Sequence, residues 1–216
     1  MKSGSTVLLP IAYLPPLQWF VFLFTANKVL IEQHETYPKQ TYRNRCVIAT
    51  SNGKLSLTIP VIKINGNHTK TREIAISYQQ NWQKLHWRAL VAAYANSPFF
   101  LYYQDDLEPF YTKRFENLMK FNLELMKKIM ELVGIEPEFE LTTTFELNPS
   151  GILDLRDEIT PKKPFMLFSL PDYYQVFQEK QGFIKGLSII DLLFNMGPET
   201  VDVLKQCAED VDRSFK

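Results

Sequence analysis

The stretch from Thr6 to Glu32 constrains the fold more than any other part of the chain. Thr6–Tyr13 reads as a buried strand, Pro15-Pro16 turns the chain, Leu17–Asn27 reads as a short, strongly apolar helix, and Lys28–Glu32 as a second strand. Pro16 suits the first helical position, where its missing N–H costs nothing. A strand–loop–helix–strand unit returns right-handed and lays its two strands parallel. Loops at the carboxyl ends of parallel strands are where ligands bind, so Tyr13 and the turn after it become candidates. The same stretch fails as a membrane span, because Pro10, Pro15, Pro16 and Gln18 keep every apolar run below the ~20 residues a bilayer requires. It fails as a secretory signal too, with Phe24 where a small residue should precede cleavage after Ala26. These readings place the protein in the cytoplasm.

Tyr42–Thr50 and Leu55–Ile62 predict an antiparallel hairpin, with Asn52-Gly53 as its type I′ turn. Leu55, Leu57, Ile59 and Val61 alternate with polar or small neighbours and predict one buried face. Arg72–Ser77 adds a further strand. The pattern then changes to helical spacing. Asn81–Tyr94 places Leu85, Ala89 and Ala93 on one stripe, and Ser97-Pro98 opens a new helix as N-cap and first-turn proline. A long helix runs from about Thr112 to Val133 and ends at Gly134. Phe139–Phe145 reads as a strand and 147–170 as a long loop. The end is helical and broken at Gly197-Pro198, with Ser188 and Asp191 resembling a capping box. The expected fold is one mixed α/β domain over 1–216. It comprises an N-terminal strand–loop–helix–strand unit, an antiparallel hairpin and a mostly helical C-terminal half.

The formal net charge is zero, yet residues 1–104 carry 11 Lys/Arg against 3 Asp/Glu, while 105–216 carry 13 against 21. Zero overall charge argues against nucleic acid, whose binding draws on neutralised phosphates. A positive N-terminal half suits a small anionic ligand, unless the two halves neutralise each other inside the fold. Cys46 and Cys207 make neither a disulfide framework nor a metal cluster, and read as small buried hydrophobes. His34, His68 and His86 lack the spacing of a zinc site. No GxxxxGK, GxGxxG, GxSxG or HExxH motif occurs, so the common nucleotide and hydrolase chemistries lose ground, and the sequence leaves any cofactor open.

The positive candidates cluster before and within the hairpin. In an extended Lys39–Arg45 segment, Arg43 and Arg45 project to one face, and Tyr42 and Asn44 to the other. Two guanidiniums on one face can clamp a carboxylate or phosphate, although charge on an edge strand also guards against aggregation. Glu32 and His34 offer a carboxylate beside an imidazole, the pairing of general acid–base work, or simply a surface hydrogen bond. In the long loop, Arg156 can close over a bound anion or face water.

Several of these segments occur together and in order. Ala12-Tyr13-Leu14-Pro15-Pro16 is followed by Tyr37-Pro38-Lys39 and Tyr42-Arg43-Asn44-Arg45, then by Asn52-Gly53 with Leu57-Thr58-Ile59-Pro60-Val61. Further on come Ser97-Pro98-Phe99-Phe100, Asp154-Leu155-Arg156, Tyr174-Gln175-Val176-Phe177 and Leu187-Ser188-Ile189-Ile190-Asp191. In these the chain resembles the WbqC-like family of bacterial proteins. It departs at Leu9-Pro10-Ile11, where many members resemble Gln-Pro. The resemblance implies a bacterial protein linked to surface-polysaccharide or O-antigen gene clusters and a glycine-transferring or related acyl-transfer role. The expected function is a transferase moving an aminoacyl or acyl group to an activated sugar. Lys39, Arg43 and Arg45 would clamp a small anionic ligand such as a nucleotide sugar or acyl donor. Tyr13, Tyr42 and Asn44 would contact the substrate, Arg156 would close from the loop, and His34 or Glu32 would be the base. The alternative is a binding or assembly protein that holds a polysaccharide precursor or partner enzyme without chemistry. A nucleotide-activating ligase is disfavoured, because Pro15 and Pro16 remove two N–H groups from the first helix end.

Overall fold

The computed structural model describes residues 6–163 and 168–214. β1 (Thr6–Pro10) leads into α1 (Leu17–Thr25), and β2 (Lys28–Glu32) returns parallel to β1, in register from Thr6 with Lys28 to Pro10 with Glu32. Pro16 is the N-cap residue and is extended (φ −66°, ψ 155°) rather than the first helical residue, and the helix starts at Leu17 as expected. Every residue from Leu17 to Leu23 is buried, because α1 packs against β1 on one side and the final helices on the other. Trp19 has no exposed route for its indole N–H and donates it to the Pro10 carbonyl at 2.8 Å.

β3 (Arg45–Thr50) and β4 (Gly53–Thr58) form the expected hairpin, with Thr50 paired to Gly53. The turn therefore centres on Ser51-Asn52, one residue early, and neither has positive φ; Gly53 at φ 105° closes it instead. That is the pattern of a type I turn with a glycine bulge rather than a type I′ turn. The strand expected through Ile62 breaks at Ile59-Pro60. β5 (Val61–Ile62) pairs antiparallel with β6 (Ala75–Ile76), all that remains of the strand expected over 72–77. Leu57 and Ile59 face inward, whereas Leu55 is 38% exposed.

α2 (Trp82–Tyr94) buries Trp82, His86, Leu90 and Ala93 and leaves Leu85 60% exposed, so the stripe through Leu85 and Ala89 is not its inner face. The Trp82 ring packs on His86 at 5.1 Å and on Phe121 at 5.8 Å, and this aromatic contact sets the rotation of the helix. α3 (Phe100–Leu107) and α4 (Pro109–Thr112) follow; Ser97 does not cap α3 but donates to the Tyr94 carbonyl at 2.7 Å. α5 (Leu118–Val133) starts six residues later than expected, where Asn117 accepts the Lys120 N–H, and ends at Gly134 with φ 75°.

β7 (Phe139–Leu141) and β8 (Ile152–Asp154) complete a four-stranded, all-parallel sheet in the order β7-β2-β1-β8. β8 lies in the stretch read as loop. α6 (Gln178–Gln181), α7 (Ile189–Met196) and α8 (Thr200–Ser214) finish the chain, with the expected break at Gly197-Pro198. Gly197 sits at φ 54°, and a Cβ there would lie 2.5 Å from the Phe99 ring. Cys46 and Cys207 are free and buried. No helix among the described residues is long and apolar enough to cross a membrane.

Candidate functional site

The chain builds outward from β1 to β2 to β7, then places β8 on the other side of β1. Beside β1 the connections therefore reverse direction, and in open parallel sheets the carboxyl edge at such a point is where ligands bind. Among the described residues the two non-glycines with left-handed backbone, Leu14 (φ 41°) and Gln40 (φ 60°), both lie in loops following strands that end at this edge. Strained residues of this kind concentrate at functional sites.

The edge is held by charge. Glu32, the last residue of β2, is wholly buried. Its Oε1 accepts the His34 backbone N–H at 2.6 Å and the Thr142 hydroxyl at 3.0 Å, and its Oε2 accepts Arg156 Nη1 at 3.0 Å. Arg156 also donates Nε and Nη2 to Asp154 (2.9 and 2.5 Å) and Nη2 to the Glu146 carbonyl (2.8 Å). Its guanidinium lies 5.0 Å over the Phe145 ring. One arginine thus joins the ends of β2 and β8 to the strap after β7. Beside it, Glu35 receives Arg43 through two prongs, Nε at 2.5 Å and Nη2 at 2.7 Å, and the Thr71 hydroxyl at 3.2 Å. Arg43 Nη2 reaches on to the Arg156 carbonyl at 3.4 Å, linking the two clusters.

The carboxylates respond differently. Burial alone would push the Asp154 carboxyl up, but the hydrogen bonds and charge of Arg156 outweigh it and hold it below its usual range. At Glu35 burial wins over the Arg43 guanidinium, and the carboxyl lies above its usual range.

The residues singled out from sequence divide into two groups. Residues 41–44 turn rather than extend, and β3 begins only at Arg45. Arg43 is consequently 1% exposed and turned inward, while Arg45 stays outside with Nε on the Thr58 hydroxyl at 3.1 Å. The two guanidiniums do not share a face, which corrects the extended-segment expectation. Tyr42 is buried, its carbonyl accepts the Tyr13 N–H at 2.8 Å, and burial pushes its phenol up to about 12. Asn44 straps the hairpin by donating Nδ2 to the Ile59 carbonyl at 2.7 Å. Tyr13 is fully buried, its hydroxyl 3.0 Å from both His86 Nδ1 and the Tyr111 hydroxyl. Arg156 is buried inside the edge rather than poised in a loop. His34 is half-buried and Lys39 exposed.

Beside Glu32 opens a cleft of about 150 Å³. Leu8, Leu30 and Ile152 from three adjacent strands line its apolar side, and Glu32, Thr142 and Glu146 supply polar groups. Among the described residues no group of three or more His, Cys, Asp or Glu could hold a metal ion.

Two features went unread in the sequence. Glu35 sits eight residues from Arg43 with no motif to pair them. Asp191, read as a capping residue, turns its carboxylate into the core, and Ser188 caps α7 alone through the Ile190 N–H at 3.4 Å. Asp191 accepts the hydroxyls of Tyr94 and Tyr173, each at 2.8 Å, and Gln175 Nε2 at 3.2 Å. Burial pushes its carboxyl up to about 6, against the pull of those hydrogen bonds. Its place in an apolar run was the one available signal.

The family model of the WbqC-like proteins matches residues 11–162 and 156–203, which takes in Glu32, Glu35, Arg43, Asp154 and Arg156. The chain belongs to the WbqC-like protein family. A relative, Uncharacterized protein Rv1507c of Mycobacterium tuberculosis (strain ATCC 25618 / H37Rv), is 30% identical over 224 residues, covering 91% of this chain and 96% of the relative. No solved structure gives a significant match.

Proposed function

We propose that this WbqC-like protein is a cytoplasmic transferase that moves an aminoacyl or acyl group onto the amine or hydroxyl of an activated sugar, in bacterial surface-polysaccharide biosynthesis. The observation that carries the reading is the cleft over one face of the parallel sheet, reaching Glu32 at its carboxyl end, where a buried carboxylate and a threonine hydroxyl meet an apolar wall. A site of that kind suits a short acyl or sugar fragment better than a whole nucleotide, since drug-sized ligands occupy roughly 300–1,000 Å³. In the reaction, the base (His34 or Glu32) takes the proton of the acceptor's amine or hydroxyl. The freed electron pair forms the bond to the acyl carbon, and the bond from that carbon to its carrier breaks, the carrier leaving with the electrons. Lys39 and Arg45, the basic side chains of the segment that stay accessible, meet the anionic part of the substrate. Tyr13, Tyr42, Arg43, Asn44 and Arg156 position these loops from behind.

A second reading has its own support. Glu32 already accepts three hydrogen bonds, as a carboxylate that braces a site rather than reacts in one. On that reading the protein holds a polysaccharide precursor or a partner enzyme without turnover. The deciding experiment incubates the protein with nucleotide sugars and acyl or aminoacyl thioesters and searches by mass spectrometry for an acylated sugar. Product that disappears with His34→Ala or Glu32→Gln supports the transferase. Ligand bound but unaltered selects the holding protein.

A further inference from the structure

We propose that the loop after β5, which carries Ile62 and Ile64 among Lys39, Lys63 and Lys70, is a docking surface for a membrane with anionic lipid headgroups. The inference goes beyond the reading above and does not rest on it. Along residues 61–64 burial alternates. Val61 packs against the core and Lys63 folds back over the Tyr37 ring, while Ile62 and Ile64 are 47% and 61% exposed. That alternation sends both isoleucines out on one side. The loop beyond them is fixed by its own bonds. The hydroxyl of buried Thr69 accepts the Asn65 N–H at 2.8 Å and donates to the Gly66 carbonyl at 2.9 Å, and the His68 N–H reaches the Asn65 carbonyl at 3.1 Å. Ile64 is therefore presented without the ordering cost of a free loop.

Cations surround the pair. The Tyr37 N–H bonds the Thr69 carbonyl at 3.0 Å and Thr36 bridges to Lys70, so the chain leading to Lys39 runs beside the end of the loop. Lys63 Nζ lies 3.4 Å from the Tyr37 carbonyl, two positions before Lys39. Lysines from two segments thus meet at one loop, and Lys39, Lys63 and Lys70 enter no ion pair among the described residues. The stretch 36–72 contains seven Lys or Arg and no Asp or Glu. The first carboxylate after it, Glu73, is turned to the Lys70 N–H at 3.1 Å and to Arg72 at 4.0 Å. Other exposed apolar neighbours keep acidic company: Leu101 and Tyr102 precede Asp105 and Asp106, and Phe145 and Leu147 flank Glu146. An anionic surface repels those and attracts this one. Single exposed apolar side chains are ordinary, but two isoleucines ringed by lysine match both parts of a bilayer interface. The ammonium groups meet headgroup phosphates and the isoleucines enter the acyl boundary. Free phosphate or nucleic acid answers the charge and leaves the isoleucines in water.

The test is co-sedimentation of the full chain with vesicles of phosphatidylcholine alone and of phosphatidylcholine mixed with phosphatidylglycerol. The chain should bind the anionic vesicles, release them as salt is raised, and ignore the neutral ones. Lys63→Ala and Lys70→Ala should each weaken binding about fivefold. Ile62→Ser combined with Ile64→Ser should weaken it about tenfold or more. Ile64→Trp should move tryptophan emission to shorter wavelength on anionic vesicles, which charge attraction alone would not do. Lys84→Ala and Leu101→Ser are the controls, an exposed cation and an exposed apolar side chain on α2 and α3, and should change nothing. No binding, equal binding to both vesicles, an equal loss in either control, or anionic binding untouched by the isoleucine changes each overturns the surface. In the last case, competition by polyglutamate would assign the lysines to an acidic protein instead. Acyl transfer in the preceding assay without vesicle binding would leave the transferase standing and this surface overturned.

Discussion

Glu32 and Asp191 are both carboxylates with no more than 1% of their surface exposed, and both accept a hydroxyl, yet only Glu32 meets a cation. Glu32 ends β2 in a cluster where Arg43 and Arg156 answer three carboxylates, those of Glu32, Glu35 and Asp154. Asp191 lies in α7 and receives only neutral donors, two phenols and an amide, with no ion pair among the described residues. Guanidiniums stabilise the ionised carboxylate through charge as well as hydrogen bonds. Phenols supply hydrogen bonds alone, and at Asp191 they do not match the cost of burial. At the sheet edge, then, burial is opposed by charge, and at Asp154 the arginine prevails; in the helical half only neutral donors oppose it, and the Asp191 carboxyl is pushed up to about 6.

Cutting the arginine side of this comparison should have the largest effect. Arg156→Met leaves Glu32 without its cation and frees the strap at Glu146, and should cost about 3–5 kcal/mol in urea unfolding at pH 7. A loss below about 1 kcal/mol would mean that Arg156 does not hold the edge. Next comes the pH dependence of Asp191. Its folded value of about 6 lies above its unfolded value, so the folded state binds more protons and stability falls as pH rises through about 4 to 6. The difference amounts to about 3 kcal/mol. Asp191→Asn should remove that slope, read from unfolding midpoints between pH 4 and 7; Glu35, raised in the same direction, contributes equally to both proteins. An unchanged slope would place the proton elsewhere. Tyr94→Phe removes a donor to Asp191 and should cost about 1–3 kcal/mol, with the slope moving to higher pH.

Asp154 behaves in the opposite sense. Its depressed value gives stability that is present above its unfolded value and lost as pH falls below it. Because this carboxylate is partly solvated, Asp154→Asn should cost about 1 kcal/mol at pH 7 and flatten only the acid limb. Smallest is the exposed pair of Lys28 with Glu140, at 2.9 Å. Lys28→Ala should change stability by less than about 0.5 kcal/mol, and a larger change would show that exposed pairs here rival the buried ones.

Much of the local structure was legible in the residues and little of the site was. β1, α1 and β2 follow from apolar runs punctuated by Pro15-Pro16, and the hairpin from alternation around Asn52-Gly53, with the turn displaced by one. β8 was not legible, because three residues without a pattern of their own become a strand only when β1 offers an edge: Leu155 N–H bonds the Leu8 carbonyl at 2.9 Å. Arg43 was picked out as a site residue, but its burial depends on the turn over 41–44 and on Glu35. The α2 stripe was misplaced because His86, polar by type, takes a core position against Trp82 and Tyr13.

By itself, the sequence determined where helices stop: Gly134 closes α5 at φ 75°, and Gly197 breaks the final helices. Capping, proline and left-handed glycine act between residues a few positions apart, so their consequences can be read along the chain. Only the tertiary structure decided which charges meet. Glu32 and Arg156 are separated by 124 positions, and Tyr94 and Asp191 by 97. Coulomb attraction and desolvation depend on distance and burial in space, and no spacing in the sequence encodes either.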